Sequence, residues 1–415
     1  MFSRLEVRGY RSLKAVDTAL RPFQVVVGPN ASGKTTLLET LDLLGRIMRG
    51  RGDVREAVLS VAPNFHDLLW RGEGRGFTLI VEAPLPDRLR PALDGGAGAF
   101  DAVAYRLSVS LDPESDEIGI DDEMLLLFRN LEMESDDRSA RLPATMKLIT
   151  RPHENGATAF YFPDEGDASD AEAFAPFRSR LDARTSALQA TPADGRGYRV
   201  AEWLRGVLAD GVRRIDLEDR VLAAPAPPGL GSVPLPDGAN LPRVLAALRR
   251  DATRFGFWLR HVRSALPELR DVEVVERPED RATYLRLTYD NGARVPSWLV
   301  SAGTLRLFAL TVLPYIATED VVYLIEEPET GIHPRALEAV MESLRSIYGG
   351  QVLATTHSLL VVNLVEVEEL LCASLGAEGE TVLVPGPLHP VLARQGGGGS
   401  SLGTLFASGS LTPLP

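Results

Sequence analysis

The residues with the most specific chemistry are Gly28-Pro29-Asn30-Ala31-Ser32-Gly33-Lys34-Thr35, followed by Thr36. Their G-x-x-x-x-G-K-[ST] spacing suits the phosphates of a nucleotide. A short loop entering a helix aims several backbone N–H groups at one point, where the positive end of the helix dipole also favours an anion. Gly28 and Gly33 let the backbone come close. Lys34 is placed to reach the β- and γ-phosphates, and the Thr35 hydroxyl to take one position on Mg²⁺. Of the 44 basic residues only Lys14, Lys34 and Lys147 are lysine. Lysine is thus kept where a compact ammonium fits between phosphates and a guanidinium does not.

A second set of candidates lies roughly 290 residues further on. The apolar run 321–325 suits a strand buried on both faces and ends in Glu326-Glu327-Pro328-Glu329. Two adjacent carboxylates at a strand's end divide the work: Glu326 holds Mg²⁺ through water, and Glu327 polarises the water that attacks the γ-phosphate. Another short strand, 351–355, delivers Thr356-His357-Ser358, from which His357 can hydrogen-bond a γ-phosphate. His333 instead shapes the turn before the helix that Pro334 opens. Between these sets, Ser301-Ala302-Gly303-Thr304-Leu305-Arg306 leads into the apolar stretch 307–316. Small residues entering a helix make a second anion-binding N-terminus, although an ordinary capped core helix looks the same.

Elements that position these residues are legible around them. Residues 23–27 form a strand before the loop and 36–48 a helix after it, while 5–13, 77–83, 102–110 and 118–128 alternate as strands of an antiparallel sheet. Residues 130–166 are polar and turn-rich, and 171–269 are mainly helical, notably 200–208 and 241–266. The Pro- and Gly-rich stretch 223–231 reads as an exposed crossing. Strands return at 272–276 and 284–287, before the hairpin signal Asp290-Asn291-Gly292. The expected organisation is an α/β head made of residues 1–130 and 295–375, a mainly helical insert at 131–294, and a tail at 376–415. In the tail a tether, Gly396 to Gly399, precedes Leu402, Leu405, Phe406 and Leu411. These four either pack on their own domain or dock on a second protein.

Composition narrows the class. A chain of 415 residues, 45% hydrophobic and 24% charged, reads as globular with two or three lobes. It has no apolar run of about eighteen residues and no secretory signal at its start, so no membrane span and a cytoplasmic location are expected. Cys372, the one cysteine, excludes an internal disulfide and a thiolate metal cluster and reads as a buried structural thiol. A net charge of −13 argues against a surface devoted to nucleic acid. A local basic groove walled by Arg249, Arg260 and Arg263 is one reading of 249–263, a solvated helix surface the other.

Phosphate loop, Ser-x-Gly signature, Glu-Glu strand and His357 together resemble the ATP-binding-cassette type of ATPase. The match is to its soluble branch, the RecF, SMC and overcoming-lysogenization-defect (OLD) proteins. The segments 326–334 and 355–358 resemble the OLD-like members most. The resemblance implies a head-to-tail homodimer closing on two ATP with Mg²⁺. Ser301 and Gly303 would then act on the partner's γ-phosphate, and Arg11 on nucleotide phosphate. There are departures. Glu326 stands where transporters have Asp, Ala302 replaces a signature Gly, and 64–70 carries His66 and Asp67 where a glutamine loop would complete the metal shell. After His357 fewer than sixty residues remain, too few for the TOPRIM nuclease domain of many OLD-like proteins. The implied function is an ATP-hydrolysing switch, the ATPase component of a bacterial antiphage system with a separate nuclease or toxin as effector. The alternatives are a RecF-like DNA-binding ATPase and, disfavoured by the long insert, a transporter subunit.

Overall fold

Helix α1 (Lys34–Arg49), which follows the phosphate loop, is enclosed by two sheets. The structure, a computed structural model, describes residues 1–49, 53–90, 100–112, 114–129, 145–151, 157–160, 177–191, 198–394 and 401–411. One sheet is mainly parallel and central, in the spatial order β2 (Val212–Ile215), β3 (Val322–Glu326), β4 (Gln351–Thr356), β1 (Phe23–Val27), β5 (Leu370–Leu375), β6 (Thr381–Pro385), with only β6 antiparallel to its neighbour. β1 and β4 are buried at every position, as strands covered on both faces must be. The register sets Val27 beside Thr356, Thr355 beside Glu326 and Ile325 beside Ile215. The phosphate loop, the carboxylates, His357 and the residues after β2 therefore leave the sheet along one carboxyl edge, where α/β sheets bind ligands.

The other sheet is antiparallel and eight-stranded among the described residues. Its strands Gly76–Pro84, Ala102–Leu111 and Ile118–Phe128 agree with expectation to within a residue at either end. Leu79, Val81, Tyr105 and Leu107 from it, and Val26, Val322, Leu324 and Leu353 from the central sheet, share one core with Leu37, Leu41 and Leu44 of α1. A second core covers the opposite face of the central sheet. It contains residues of α2 (Ala302–Thr311) and α3 (Pro334–Arg345), the helices Leu241–Arg249 and Ala252–Ala265, and the small sheet Leu269–Glu276, Thr283–Tyr289, Arg294–Pro296.

Several expectations change. Residues 131–294 are not helical alone: Thr145–Arg151, Ala157–Phe160 and Phe177–Arg180 extend the antiparallel sheet, and β2 joins the central one. β2 is only four residues long and carries Arg213 and Arg214 between buried Val212 and Ile215, too short and too charged for the pattern of a core strand. The helix expected over 241–266 breaks at Asp251, whose side chain accepts the N–H groups of Thr253 and Arg254 and so caps a new helix. Arg249 is thereby separated from Arg260 and Arg263. Its guanidinium pairs with Asp271 at 3.0 Å and covers the Phe255 ring, so no three-arginine wall forms on one helix. The 223–231 crossing is anchored rather than loose, since buried Ala226 exchanges backbone hydrogen bonds with Thr283.

The tail also settles. Gly396 to Gly399 lie outside the described residues, but Leu402–Ala407 is a helix whose Leu405, with Leu411 beyond it, is buried in the second core. The Gly403 N–H donates to Asn363 Oδ1 at 2.8 Å. These side chains pack on the head's own core instead of being held out for another protein. Cys372 is buried within β5, as a structural thiol should be. No described helix is long and apolar enough to cross a membrane.

Candidate functional site

The loop between β1 and α1 turns through left-handed conformations at Ala31 (φ 64°) and Gly33 (φ 87°). Alternation of this kind gathers successive N–H groups into an anion-sized hollow. Ser32 is fully buried, and its Oγ has no hydrogen-bond partner. The glycines answer to packing as well as to phosphate. A methyl at Gly28 would stand 2.2 Å from the Ala373 carbonyl oxygen, and one at Gly33 would stand 2.0 Å from Thr381 Oγ1. Strands β5 and β6 thus press on the loop from behind, and Thr381 also bonds Ser12 through both backbone and hydroxyl.

Lys34 curls back on this loop: its Nζ donates to the carbonyls of Gly28 at 2.8 Å and Pro29 at 2.7 Å. Burial lowers its pKa from the ordinary lysine value, and the nearby Glu327 carboxylate works in the opposite direction. Thr35 Oγ1 donates to Glu326 Oε2 at 2.8 Å, while Arg214 Nη2 donates to Glu326 Oε1 at 2.7 Å. Thr35 and Glu326 offer two hard oxygens on adjoining elements, the donor type that suits Mg²⁺ when phosphates and water complete its shell. Among the described residues no group of three or more His, Cys, Asp or Glu is placed to hold a metal.

Glu327 adopts a left-handed backbone (φ 47°), uncommon for a residue with a side chain, and its N–H donates to Thr355 O at 2.8 Å. Its Oε1 lies 3.0 Å from His357 Nδ1, and Thr330 Oγ1 donates to its Oε2 at 3.2 Å. The base candidate therefore accepts from a hydroxyl and lies against a histidine. Glu329 accepts from Thr356 Oγ1, and burial raises its carboxyl pKa above the ordinary range. His333 caps α3 through Nδ1, as expected of a turn residue.

Ser301 is the N-cap of α2, its exposed Oγ accepting the Thr304 N–H at 3.2 Å. Gly303 faces the turn after the carboxylates, at Gly331. Arg11 forms an ion pair with Glu39 of α1 at 2.7 Å, and the other Glu39 oxygen takes the Tyr10 hydroxyl. Burial, then the Glu39 charge, raises the Tyr10 pKa. Residues 64–70 lie by the Arg11 turn, where Leu68 O accepts the Arg11 N–H and Leu69 bridges Tyr10, with His66 and Asp67 exposed.

Two residues absent from the motif reading, Arg214 of β2 and Asp216 just after it, join the edge with Arg306 of α2, the last residue of the signature stretch. Arg306 pairs with Asp219 at 2.6 Å and bonds Leu217 O at 2.7 Å. Asp216, Leu217, Arg306, Glu326, Glu327 and Thr330 line a cavity of about 200 Å³ beside the carboxylates. No local pattern marks Arg214 or Asp216, because β2 reads as part of a helical stretch.

Residues 23–363 match the family described as "AAA domain, putative AbiEii toxin, Type IV TA system". Over 44 residues the chain is 46% identical to an OLD nuclease of Thermus scotoductus and 52% identical to the DNA replication and repair protein RecF of Vibrio vulnificus. These stretches are 11% and 10% of this chain and 8% and 12% of the relatives' own lengths. An SMC head, solved bound to the C-winged helix domain of ScpA, superposes with a TM-score of 0.53 over 92% of this chain and 96% of that one at 13% identity, a likeness of fold. Matched by the family model over most of its length, the chain belongs to this AAA-domain family and is an ABC-type ATPase head of the OLD, RecF and SMC kind.

Proposed function

We propose that the chain hydrolyses ATP with Mg²⁺ at this edge and that two heads close on nucleotide as a switch for a separate effector. The observation that carries the hydrolytic reading is the 3.0 Å approach of His357 Nδ1 to Glu327 Oε1, next to the Thr35–Glu326 pair. Bound Mg²⁺ would neutralise charge shared by the β- and γ-phosphates. Lys34 exchanges the Gly28 and Pro29 carbonyls for phosphate oxygens, which offset the cost of burying its charge. Glu327 Oε1 accepts a proton from the attacking water, and His357 and Thr330 keep that carboxylate oriented. By resemblance, Ser301 and Gly303 complete the partner head's site, and Arg11 exchanges Glu39 for a nucleotide phosphate.

The role in antiphage defence, in the cytoplasm and with a nuclease or toxin as effector, is supported by the toxin–antitoxin description of the family and by the OLD relative. A RecF-like role in which the head itself binds DNA is supported by the RecF match. DNA binding by the purified chain alone that strengthens with ATP and weakens with salt would favour that second role.

The hydrolytic reading is tested by Mg²⁺-dependent phosphate release. Lys34→Ala is expected to abolish it, and Glu327→Gln to bind ATP but turn over at least about a hundredfold more slowly, as for loss of a catalytic base. Native turnover in Glu327→Gln would remove Glu327 from the base role.

A further inference from the structure

We infer that Arg214 is a positioning residue for the metal site: it holds one oxygen of Glu326 so that the other is presented, beside the Thr35 hydroxyl, to the water through which Glu326 holds Mg²⁺. The inference rests on the ATPase reading above and assigns a task to a strand that the motifs do not include. Arg214 pairs in register with Leu324, two residues before Glu326, so the alternation of a strand puts Arg214 and Glu326 on one face of the sheet. That is the face from which Glu326 reaches Thr35 at the start of α1. The two oxygens of Glu326 are divided: Oε1 takes Arg214 at 2.7 Å and Oε2 takes Thr35 at 2.8 Å.

A glutamate side chain has several rotatable bonds and is a poor metal ligand until something fixes its plane. A charge-assisted hydrogen bond to one oxygen does so. The Arg214 and Glu326 side chains are only 29% and 28% exposed, so solvent screens the bond incompletely. The guanidinium also repels a divalent cation, which would by itself weaken binding. Two effects limit this: Arg214 sits on the oxygen away from Thr35, and the triphosphate arrives with several negative charges of its own. Partners that orient a metal ligand typically contribute about 10–100-fold to metal affinity, and orientation is the effect we expect to win here.

The test is Mn²⁺ binding by electron paramagnetic resonance, with the whole chain at saturating ATP and Mn²⁺ standing in for Mg²⁺. Arg214→Met should weaken Mn²⁺ binding about 10–100-fold and leave ATP affinity measured without divalent metal unchanged. Arg214→Lys, which keeps the charge but not the planar fork, should fall between Met and native. Native or tighter Mn²⁺ affinity in either variant, while Glu326→Gln weakens it, would overturn the role of Arg214 alone. If Glu326→Gln also binds Mn²⁺ as the native chain does, the metal assignment itself fails. Should Arg214→Met not fold, the Lys variant decides by the same criterion.

Discussion

A methyl group at Gly303 would stand 2.3 Å from the carbonyl oxygen of Gly331, so the first turn of α2 and the turn after the paired carboxylates meet backbone to backbone. Gly303 therefore has a reason within its own chain, apart from any contact with a phosphate. Gly331 itself sits at φ 73°, so the turn has little freedom to retreat. Gly303→Ala is expected to lower stability by about 1–3 kcal/mol, the usual cost of forcing an extra carbon into a filled space. Thermal unfolding of the two proteins measures it, and equal midpoints would mean that the turn yields.

The trans arrangement implied by the resemblance is testable by complementation. Lys34→Ala and Ser301→Arg are each expected to be inactive alone, whereas a mixture should recover part of the activity. A mixed dimer keeps one site with an intact loop and an intact signature. Ser301→Arg also removes the cap of α2, at about 1 kcal/mol, which should leave the head folded. An inactive mixture whose subunits demonstrably exchange would place the signature in its own chain's site.

Cys372 supplies a pH-dependent signature of the folded head. Burial pushes its thiol pKa up to about 12, above the ordinary value of about 8.5. The folded form keeps the proton where the unfolded chain releases it. The thiol thus costs no stability below the ordinary value and takes stability away as pH rises toward the folded one. Maleimide at pH 8 should leave the native thiol untouched and label it in denaturant. The alkaline loss of stability should be smaller in Cys372→Ala. Rapid native labelling would contradict the burial.

The segment 401–411 should contribute to the head's stability. Leu411 is 2% exposed, and Leu411→Ala is expected to cost about 2–5 kcal/mol, as for other buried leucines. Removal of 401–415 should lower the unfolding midpoint at least as much. A truncated chain with native stability would return these leucines to the role of a docking segment.

The phosphate loop, the Glu326-Glu327 pair and His357 were legible from the chain because each is a local event. In each case a short strand ends and the next residues are delivered at its tip, so strand, loop and chemistry are contiguous. The antiparallel strands between 76 and 128 were legible for a similar reason, a simple alternation broken by turn residues. Arg214 was not, because its importance comes from register between β2 and β3, more than a hundred residues apart. Nor was the pairing of Arg11 with Glu39, or the pressure of Ala373 and Thr381 on the loop glycines. The chain alone marked which groups are candidates to touch a phosphate or a metal, since that depends on side-chain chemistry and a few residues of backbone. Only the tertiary structure decided which groups hold them in place, since those contacts form between segments whose spacing along the chain carries no trace of their proximity.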